Sequence, residues 1–147
     1  ETFIDDLVAK GESYDGIVLS HVIEHVEQPV IFLEKLVSLL KPGGRLYLST
    51  PAKESVFFPS VRQGCLNFYD DPTHTNPFDL RRWVQGAKKW GQITFTPRHQ
   101  GGMILRILAW MTVPYTLLTK RNTSLTWYAF GFESIAEVVR TSTNDWK

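Results

Sequence analysis

Cysteine and net charge are both nearly absent from this sequence, and each shortage excludes a class of protein. Cys65 is the only cysteine among 147 residues, which excludes an internal disulfide and a metal cluster held by several cysteines. We therefore predict a protein of a reducing compartment, the cytoplasm. The net charge of +1 gives no electrostatic reason to expect nucleic acid as a partner.

What the chain does contain is typical of one globular domain over residues 1–147. Apolar residues make up 43% and charged residues 21%, which are the proportions of ordinary soluble domains. This length suffices for a single hydrophobic core. Aromatic residues reach 13%, which indicates aromatic packing or a roomy apolar pocket.

The segment from Tyr14 to Pro51 has the pattern of a strand, a helix and a second strand. Gly16–Ser20 is a short apolar run, as expected of a strand that is buried on both faces. Arg45–Thr50 reads as the second strand, and Pro42-Gly43-Gly44 would end the helix before it. Apolar residues recur in that helix at Val30, Leu33, Val37 and Leu40. Because the connection is long and contains a helix, it predicts a parallel pair of strands.

The same segment resembles the fourth strand, the following helix and the fifth strand of class I S-adenosylmethionine-dependent methyltransferases. The matching positions are Tyr14-Asp15, His21–His25, Leu40–Gly44 and Ser49–Pro51. The resemblance implies an α/β fold, a partial Rossmann-like methyltransferase sheet made of the fourth to seventh strands, with flanking helices and a helical insertion. It also implies transfer of a methyl group from S-adenosylmethionine to a small-molecule acceptor, for which sugar- and lipid-linked compounds are candidates.

The glycine-rich cofactor turn of that family is missing. No Gly-x-Gly turn follows an apolar strand, since Gly43-Gly44 precedes a strand and Gly101-Gly102 precedes an apolar helical run. The resemblance therefore covers only the C-terminal half of the family's fold, and we expect the isolated chain to bind the cofactor poorly and to be inactive. The alternative is a catalytically incompetent, methyltransferase-like remnant that acts as an oligomeric or binding module.

Candidate site residues follow the first strand. The resemblance implies that Ser20, His21 and Val22 border the methionine portion of the cofactor. It places Glu24 and His25 near the acceptor as catalytic candidates, with His25 as a general base. The location supports a functional role, since open α/β sheets bind ligands at the carboxyl ends of their strands. The alternative is a turn whose histidines only satisfy backbone groups.

The string His-Val-Ile-Glu-His, residues 21–25, is also a zinc-peptidase pattern. That chemistry needs both histidines on one face of a sustained helix. A buried strand runs directly into His21 and Pro29 restarts the chain soon after His25, so we assign no metal to this site.

The loop 52–78 is too long for an idle connection in a compact domain. Its Asp71-Pro72-Thr73-His74 sequence, ahead of Phe78, resembles an element of many relatives in which the loop helps to cover the acceptor. The resemblance makes His74 a further catalytic candidate, and Tyr69 and Asp71 are candidates for substrate binding. The alternative is a turn in which Asp70 and Asp71 only cap backbone amides.

The rest of the chain predicts a helix, two strands and an insertion. Asp79 would cap a helix whose apolar face is Leu80, Trp83, Val84, Ala87 and Trp90. Gln92–Thr96 matches the sixth strand, and Ser124–Arg140 is β-rich, with its last part matching the final antiparallel strand. Residues 101–122 contain the most apolar segment, Met103–Leu118, which we predict to be a helical insertion that covers the acceptor pocket.

Two apolar segments indicate that the protein binds partners. Gly16–Ser20 would be an uncovered apolar edge of the kind that natural proteins avoid exposing. We therefore predict a homodimer, either through this edge or through Met103–Leu118. Contact of the apolar segment with a membrane surface is a further expectation. It does not span a bilayer, because it is short and contains Arg106 and Pro114.

Overall fold

The computed structural model describes residues 2–87, 91–97 and 103–141. Its helices are α1 (Thr2–Ala9), α2 (Pro29–Ser38), α3 (Leu80–Ala87), α4 (Met103–Met111), α5 (Val113–Thr119) and α6 (Ser124–Phe130). Its strands are β1 (Tyr14–Ser20), β2 (Leu40–Pro51), β3 (Gly91–Pro97) and β4 (Glu133–Arg140). Short 3₁₀ turns cover Ile23–His25, Lys53–Phe57 and Phe68–Asp70.

The four strands form one mixed sheet in the order β1-β2-β4-β3. β1 and β2 are parallel, with Gly16 opposite Arg45 and Ser20 opposite Ser49. β4 runs antiparallel to both of its neighbours, β2 and β3. The predicted α/β fold, the parallel pair and the antiparallel final strand are therefore confirmed, and the carboxyl ends of β1 and β2 lie side by side.

The hydrophobic core lies between one face of this sheet and the helices α2 and α3. Its buried members include Leu33, Leu36 and Val37 of α2, Leu80, Trp83 and Val84 of α3, Leu46 and Leu48 of β2, and Ala136 and Val138 of β4. The amino end of α3 is capped as predicted, since the Arg82 N–H donates to Asp79 Oδ1 at 3.0 Å. Trp90 lies outside the described residues.

The strand β1 is not buried on both faces, which corrects the sequence prediction. Val18 is 74% exposed, and Tyr47, which lies opposite it on β2, is 36% exposed. The helices α2 and α3 cover the other face of the sheet. Among the described residues, therefore, only one face of β1 is buried, although its apolar sequence is typical of a strand that is buried on both faces. β1 is an edge strand, as expected.

The sequence Lys-Pro-Gly-Gly belongs to a strand rather than to a helix end, which is a second correction. α2 ends at Ser38, and Leu40 already pairs with Tyr14 of β1. The pairing then skips to Gly16 opposite Arg45, so the intervening residues of β2 form a bulge. Leu40 therefore reaches the core from the sheet, and the buried face of α2 is Phe32, Leu33, Leu36 and Val37.

The loop 52–78 is organised around Asp70. Its carboxylate accepts hydrogen bonds from the Ser60 hydroxyl and from the backbone N–H groups of Val61, Leu66 and Asn67. This bonding agrees with the alternative that Asp70 caps backbone amides.

The helices α4, α5 and α6 lie between β3 and β4, so the insertion is helical, as predicted. The β-rich reading was wrong for Ser124–Phe130, which forms α6. Thr123 caps that helix by accepting a hydrogen bond from the Thr126 N–H, and Gly131 ends it at a φ of +67°. These two caps outweigh the strand preference of the aromatic residues between them. Among the described residues, no helix is both long and apolar enough to cross a bilayer.

Candidate active site

The candidate site lies where β1 and β2 end. His21 directly follows β1, and its backbone N–H donates to the Ser49 carbonyl at 2.9 Å. Its φ is +51°, an uncommon value for a residue with a side chain. The chain therefore turns sharply and enters the 3₁₀ turn Ile23–His25. His21 and His25 share no sustained helix face, so the zinc-peptidase geometry is not formed.

His21 lies between two carboxylates. Its Nδ1 is 3.2 Å from Glu24 Oε1, and its Nε2 is 3.5 Å from Glu133 Oε1. Hydrogen bonding to Glu133, followed by that to Glu24, raises the pKa of His21 to about 9. At neutral pH the imidazole is therefore a cation without a free lone pair, and it does not act as a base.

Glu24 is fully buried at the centre of the site. Its Oε2 accepts a hydrogen bond from the Thr50 hydroxyl at 3.2 Å. Burial alone would raise the pKa of Glu24, but its interactions with His21 and Thr50 hold that pKa below its ordinary value. The Glu24 backbone carbonyl accepts hydrogen bonds from the N–H groups of Thr75 and Asn76 at 3.0 and 3.3 Å. Glu24 thus has an ionised carboxylate, and its backbone carbonyl connects the loop 52–78 to the turn that follows β1.

His25 and His74 are brought together from two distant segments, with ring centroids 4.9 Å apart. The Nδ1 of His25 donates to the Thr73 carbonyl at 2.9 Å, and that of His74 donates to the Phe68 carbonyl at 2.7 Å. Each ring therefore carries a proton on Nδ1, and in the neutral tautomer Nε2 is the nitrogen that can accept one. His25 is exposed and the His74 side chain is only 6% exposed, so His25 is the more accessible base.

Asp71 lies beside this pair, with its Oδ2 3.9 Å from His74 Nε2. Hydrogen bonds from the hydroxyl and the backbone N–H of Thr73 hold the pKa of Asp71 below its ordinary value. Tyr69 lies on the neighbouring 3₁₀ turn and is exposed. Its ring packs edge-on against that of Phe68, with the ring centroids 5.3 Å apart. The Asp71 carboxylate is thus anionic beside the histidines, while Tyr69 is accessible to a ligand.

Glu24, His25 and His74 could also hold a divalent cation, because one ligand atom from each lies within 4.8 Å of the others. Imidazole nitrogen and carboxylate oxygen are donors that zinc and manganese accept. Histidines whose other ring nitrogen donates to a backbone carbonyl are typical of metal sites. The spacing of the HxxEH string did not indicate this trio, since His74 comes from another segment.

The end of β1 carries a hydroxyl pair and an exposed apolar side chain. The Ser20 hydroxyl is hydrogen-bonded to the Ser49 hydroxyl at 2.9 Å, and the Val22 side chain is exposed. An accessible strand end with an apolar side chain next to it is typical of ligand sites in open α/β sheets.

A pocket of about 630 Å³ is lined in part by Glu133. Its lining includes Lys53, Phe57, Phe58, Asp79, Phe130 and Glu133. Lys53 Nζ and Asp79 Oδ2 form an ion pair of 3.0 Å within it. Aromatic walls with a few charged groups are typical of sites for small organic molecules.

The structure brings five of the eight predicted residues together. Glu24, His25, Asp71 and His74 form a cluster, and His21 contacts Glu24 from the end of β1. Ser20 and Val22 flank His21 in the chain, and Tyr69 lies on the turn before Asp71. Glu133 was not predicted as a site residue. It reaches His21 because it pairs with Pro51 at the end of β2, and its only sequence signal was a charged residue that opens an apolar strand.

Burial raises the pKa of Cys65 to about 11, so its thiol stays protonated and is a poor nucleophile.

The fold and the site together define a class of protein, a Rossmann-like α/β domain whose polar residues gather at the carboxyl ends of parallel strands. Residues 1–102 match the methyltransferase-domain family. The chain therefore belongs to that family, whose methyl donor is S-adenosylmethionine, and the resemblance read from the sequence is confirmed.

Similar curated proteins are ubiquinone biosynthesis O-methyltransferases. The one from Xanthomonas axonopodis pathovar citri is 42% identical over 93 residues, which are 57% of this chain and 39% of the relative. The one from Parvibaculum lavamentivorans is 43% identical over 49 residues, which are 33% of this chain and 19% of the relative. The chain thus spans two fifths or less of the length of these relatives.

Two solved structures share the fold. A SAM-dependent methyltransferase from Archaeoglobus fulgidus has a TM-score of 0.53 at 16% identity, and the match covers 93% of this chain and 64% of that one. The plantazolicin methyltransferase BpumL, in complex with SAH, has a TM-score of 0.56 at 14% identity, with coverages of 95% and 56%. At such identities the likeness concerns the fold alone, and it agrees with the Rossmann-like sheet.

Proposed function

We propose that this chain forms the acceptor side of a methyltransferase that transfers a methyl group from S-adenosylmethionine to a hydroxyl group of a small molecule. The observation that carries the proposal is the cluster of Glu24, His25, Asp71 and His74 at the strand ends of a methyltransferase-family fold. Oxygen as the methylated atom is supported by the names of the curated relatives.

The methyl donor would lie against Ser20, His21 and Val22. When bound, S-adenosylmethionine supplies an electrophilic methyl group for in-line transfer. Both ring nitrogens of His21 are already engaged by Glu24 and Glu133, so the imidazole holds the end of β1 in place beside the donor. In this proposal His21 shapes the donor site, and it moves no proton.

His25 is the general base of the proposal. It is exposed, and the Thr73 carbonyl keeps its proton on Nδ1, so Nε2 can accept the proton that the acceptor hydroxyl loses as its oxygen is methylated. His74 is packed beside it, with the Asp71 carboxylate 3.9 Å from its Nε2, and acts as a positioning residue. Glu24 also acts indirectly, through His21 and the loop 52–78.

The pocket beside Glu133 is not lined by His25, so it would receive the remote portion of an acceptor whose reacting hydroxyl lies at His25. The rings of Phe57, Phe58 and Phe130 suit an apolar portion, and Lys53 and Asp79 suit polar groups on the same molecule. Sugar- and lipid-linked hydroxyl compounds both meet this description.

A second function, that of a non-catalytic module, is favoured by the exposed edge strand β1. A methyltransferase-like domain that assembles through this edge would need neither donor nor base. The two functions differ in cofactor binding and in oligomeric state.

The first test is calorimetric titration of this chain with S-adenosylmethionine and with its demethylated product. One-to-one binding supports the enzyme. Absence of binding by a folded sample would contradict it for this chain and favour the module. A binding-competent sample would then be screened with radiolabelled donor against phenolic and sugar hydroxyl acceptors.

The base is tested with His25→Ala. We expect kcat to fall roughly 100-fold or more, since general-base catalysis contributes about that much, while the affinity for the demethylated donor stays the same. Glu27→Gln, an exposed change two residues away, is the control and should leave kcat unchanged. Loss of activity with EDTA and its recovery with Mn²⁺ would contradict the base and indicate that the histidines bind a metal.

A further inference from the structure

The insertion helices α4, α5 and α6 carry their large apolar side chains on the outside. Eleven large hydrophobic residues between Met103 and Trp127 are at least 36% exposed. The most exposed of them are Met103, Ile104, Met111 and Leu118, at 71–86%. Such side chains normally face a protein core. An exposed apolar surface of this size indicates a binding partner.

The fully buried contacts among the three helices are made by small and hydroxylated residues, with Tyr128 and Phe130 packed against them. Ala109, Val113 and Ala129 form the buried cluster. The hydroxyl of the buried Thr126 lies 2.9 Å from that of Thr116, and 3.1 Å from that of Thr112. Small and hydroxylated contacts are how helices associate in apolar surroundings. Apart from Trp110, which packs against Phe130, the large exposed residues therefore remain available to a partner.

The charge of this region indicates what the partner is. No acidic residue occurs between Asp79 and Glu133, and the insertion itself, residues 103–130, contains three basic residues, Arg106, Lys120 and Arg121. Two of them, Lys120 and Arg121, follow α5 directly and are exposed. An apolar surface with cations and without acids is complementary to a negatively charged lipid surface. A second copy of the chain would instead bring like charges together.

The aromatic residues of the surface agree with a bilayer interface. Trp110, Tyr115 and Trp127 are partly exposed, and these residue types favour the headgroup region of a membrane. Because none of the described helices can span a bilayer, the contact would lie along its surface.

We propose that α4, α5 and α6 bind the surface of an anionic lipid bilayer. The surface continues to the proposed acceptor pocket, because Phe130 packs against Trp110 with ring centroids 5.5 Å apart and lines that pocket with Glu133. Membrane binding goes beyond the proposed methyl transfer and does not depend on it. If both hold, the acceptor is presented from the lipid phase.

The test is co-sedimentation of the chain with vesicles, without donor or acceptor present. One set of vesicles is phosphatidylcholine alone, and the other is phosphatidylcholine and phosphatidylglycerol in equal parts. We expect partition to the anionic vesicles to be at least about 10-fold stronger, and to weaken with added salt. Since no turnover is measured, failure here is distinguishable from failure of the methyltransferase proposal.

Two sets of variants, each with a control, distinguish binding through this surface from non-specific binding to vesicles. Leu118→Ser combined with Ile104→Ser should weaken binding several-fold, whereas Phe3→Ser, an equally exposed change on α1, should not. Lys120→Gln combined with Arg121→Gln should weaken binding to the anionic vesicles by roughly 5-fold for each cation removed. Lys10→Gln, an exposed change at the end of α1, is the charge control.

Three results would overturn the proposal. The first is a chain that stays in the supernatant with both kinds of vesicle. The second is binding that falls equally in Phe3→Ser and in the α4/α5 variant. The third is a stable dimer that does not bind vesicles and is dissociated by Leu118→Ser, which would make this surface an interface between two copies.

Discussion

Glu24 connects the two parts of the site through different atoms. Its carboxylate contacts His21 and Thr50, while its backbone carbonyl accepts from Thr75 and Asn76. A buried carboxylate that loses its partner is costly, so the charge on His21 and the placement of the loop 52–78 are coupled through one residue.

The free energy of unfolding should decrease as the pH rises above neutrality, because His21 loses its proton. Folding raises the pKa of His21 from 6.5 to about 9, so its contribution is fully present below pH 6.5 and is lost as the pH passes 9. We expect a loss of about 1 kcal/mol, a value reduced for solvent screening because the side chain is 38% exposed. Glu24 acts in the opposite sense, since its lowered pKa stabilises above pH 4.5. Urea unfolding at pH values from below 4.5 to above 9 measures both effects.

Glu133→Gln provides the matching variant. It removes the largest contribution to the raised pKa of His21, so the decrease in stability towards pH 9 should become smaller. Glu137→Gln, on the same strand but paired with the exposed Arg45, should keep the wild-type pH dependence. An unchanged dependence in Glu133→Gln would contradict the assignment to His21.

At the scale of elements, the start of β2 decides how β1 and α2 fit together. The bulge opposite Tyr14 and Gly16 contains Gly43, at a φ of +80°, and Gly44. A Cβ at Gly44 would lie 2.9 Å from the Lys41 carbonyl oxygen and 3.1 Å from that of Tyr14. Both contacts are with backbone atoms, which cannot move aside without disturbing the strand pair.

Gly44→Ala should therefore lower the free energy of unfolding by about 1–3 kcal/mol through overpacking. Gly86→Ala, in α3, is the control, because nothing lies within 4 Å of its Cβ position and alanine favours the helix. It should raise stability by about 0.5–1 kcal/mol. Chemical denaturation of both variants checks the pair, and equal effects would contradict the steric explanation.

At the scale of the whole molecule, the sheet has an open edge and a partly open face among the residues that the structure describes. β1 is the edge strand. Val18 on β1 and Tyr47 on the neighbouring β2 form an exposed apolar pair on the open face. Strand pairing across such an edge can join two copies through backbone hydrogen bonds.

We predict a homodimer through this edge, and Val18→Lys should dissociate it by placing charges in the interface. Ile31→Lys, an exposed change on α2, should leave the dimer intact. Sedimentation velocity at micromolar concentration measures both. A wild-type chain that sediments as a monodisperse monomer would contradict the prediction.

Features that depend on nearby residues were predicted well. The helix after Asp79, the strand around Gln92–Thr96 and the parallel pair follow from periodicity and from proline and glycine positions. Errors arose where a cap or a pairing overrides local preference, as in α6 between Thr123 and Gly131, and at Leu40, which leaves the helix to pair with Tyr14.

The sequence by itself determined the family, the order of most elements and the residues from Ser20 to His25 and from Asp71 to His74 as site candidates, because short motifs and local periodicity carry that information. Only the tertiary structure decided that His25 lies against His74, that Glu133 reaches His21, and that the insertion turns its large apolar side chains outward. These contacts join residues far apart in the chain. They depend on the register between β2 and β4 and on how the loop 52–78 packs, neither of which is encoded in a local pattern.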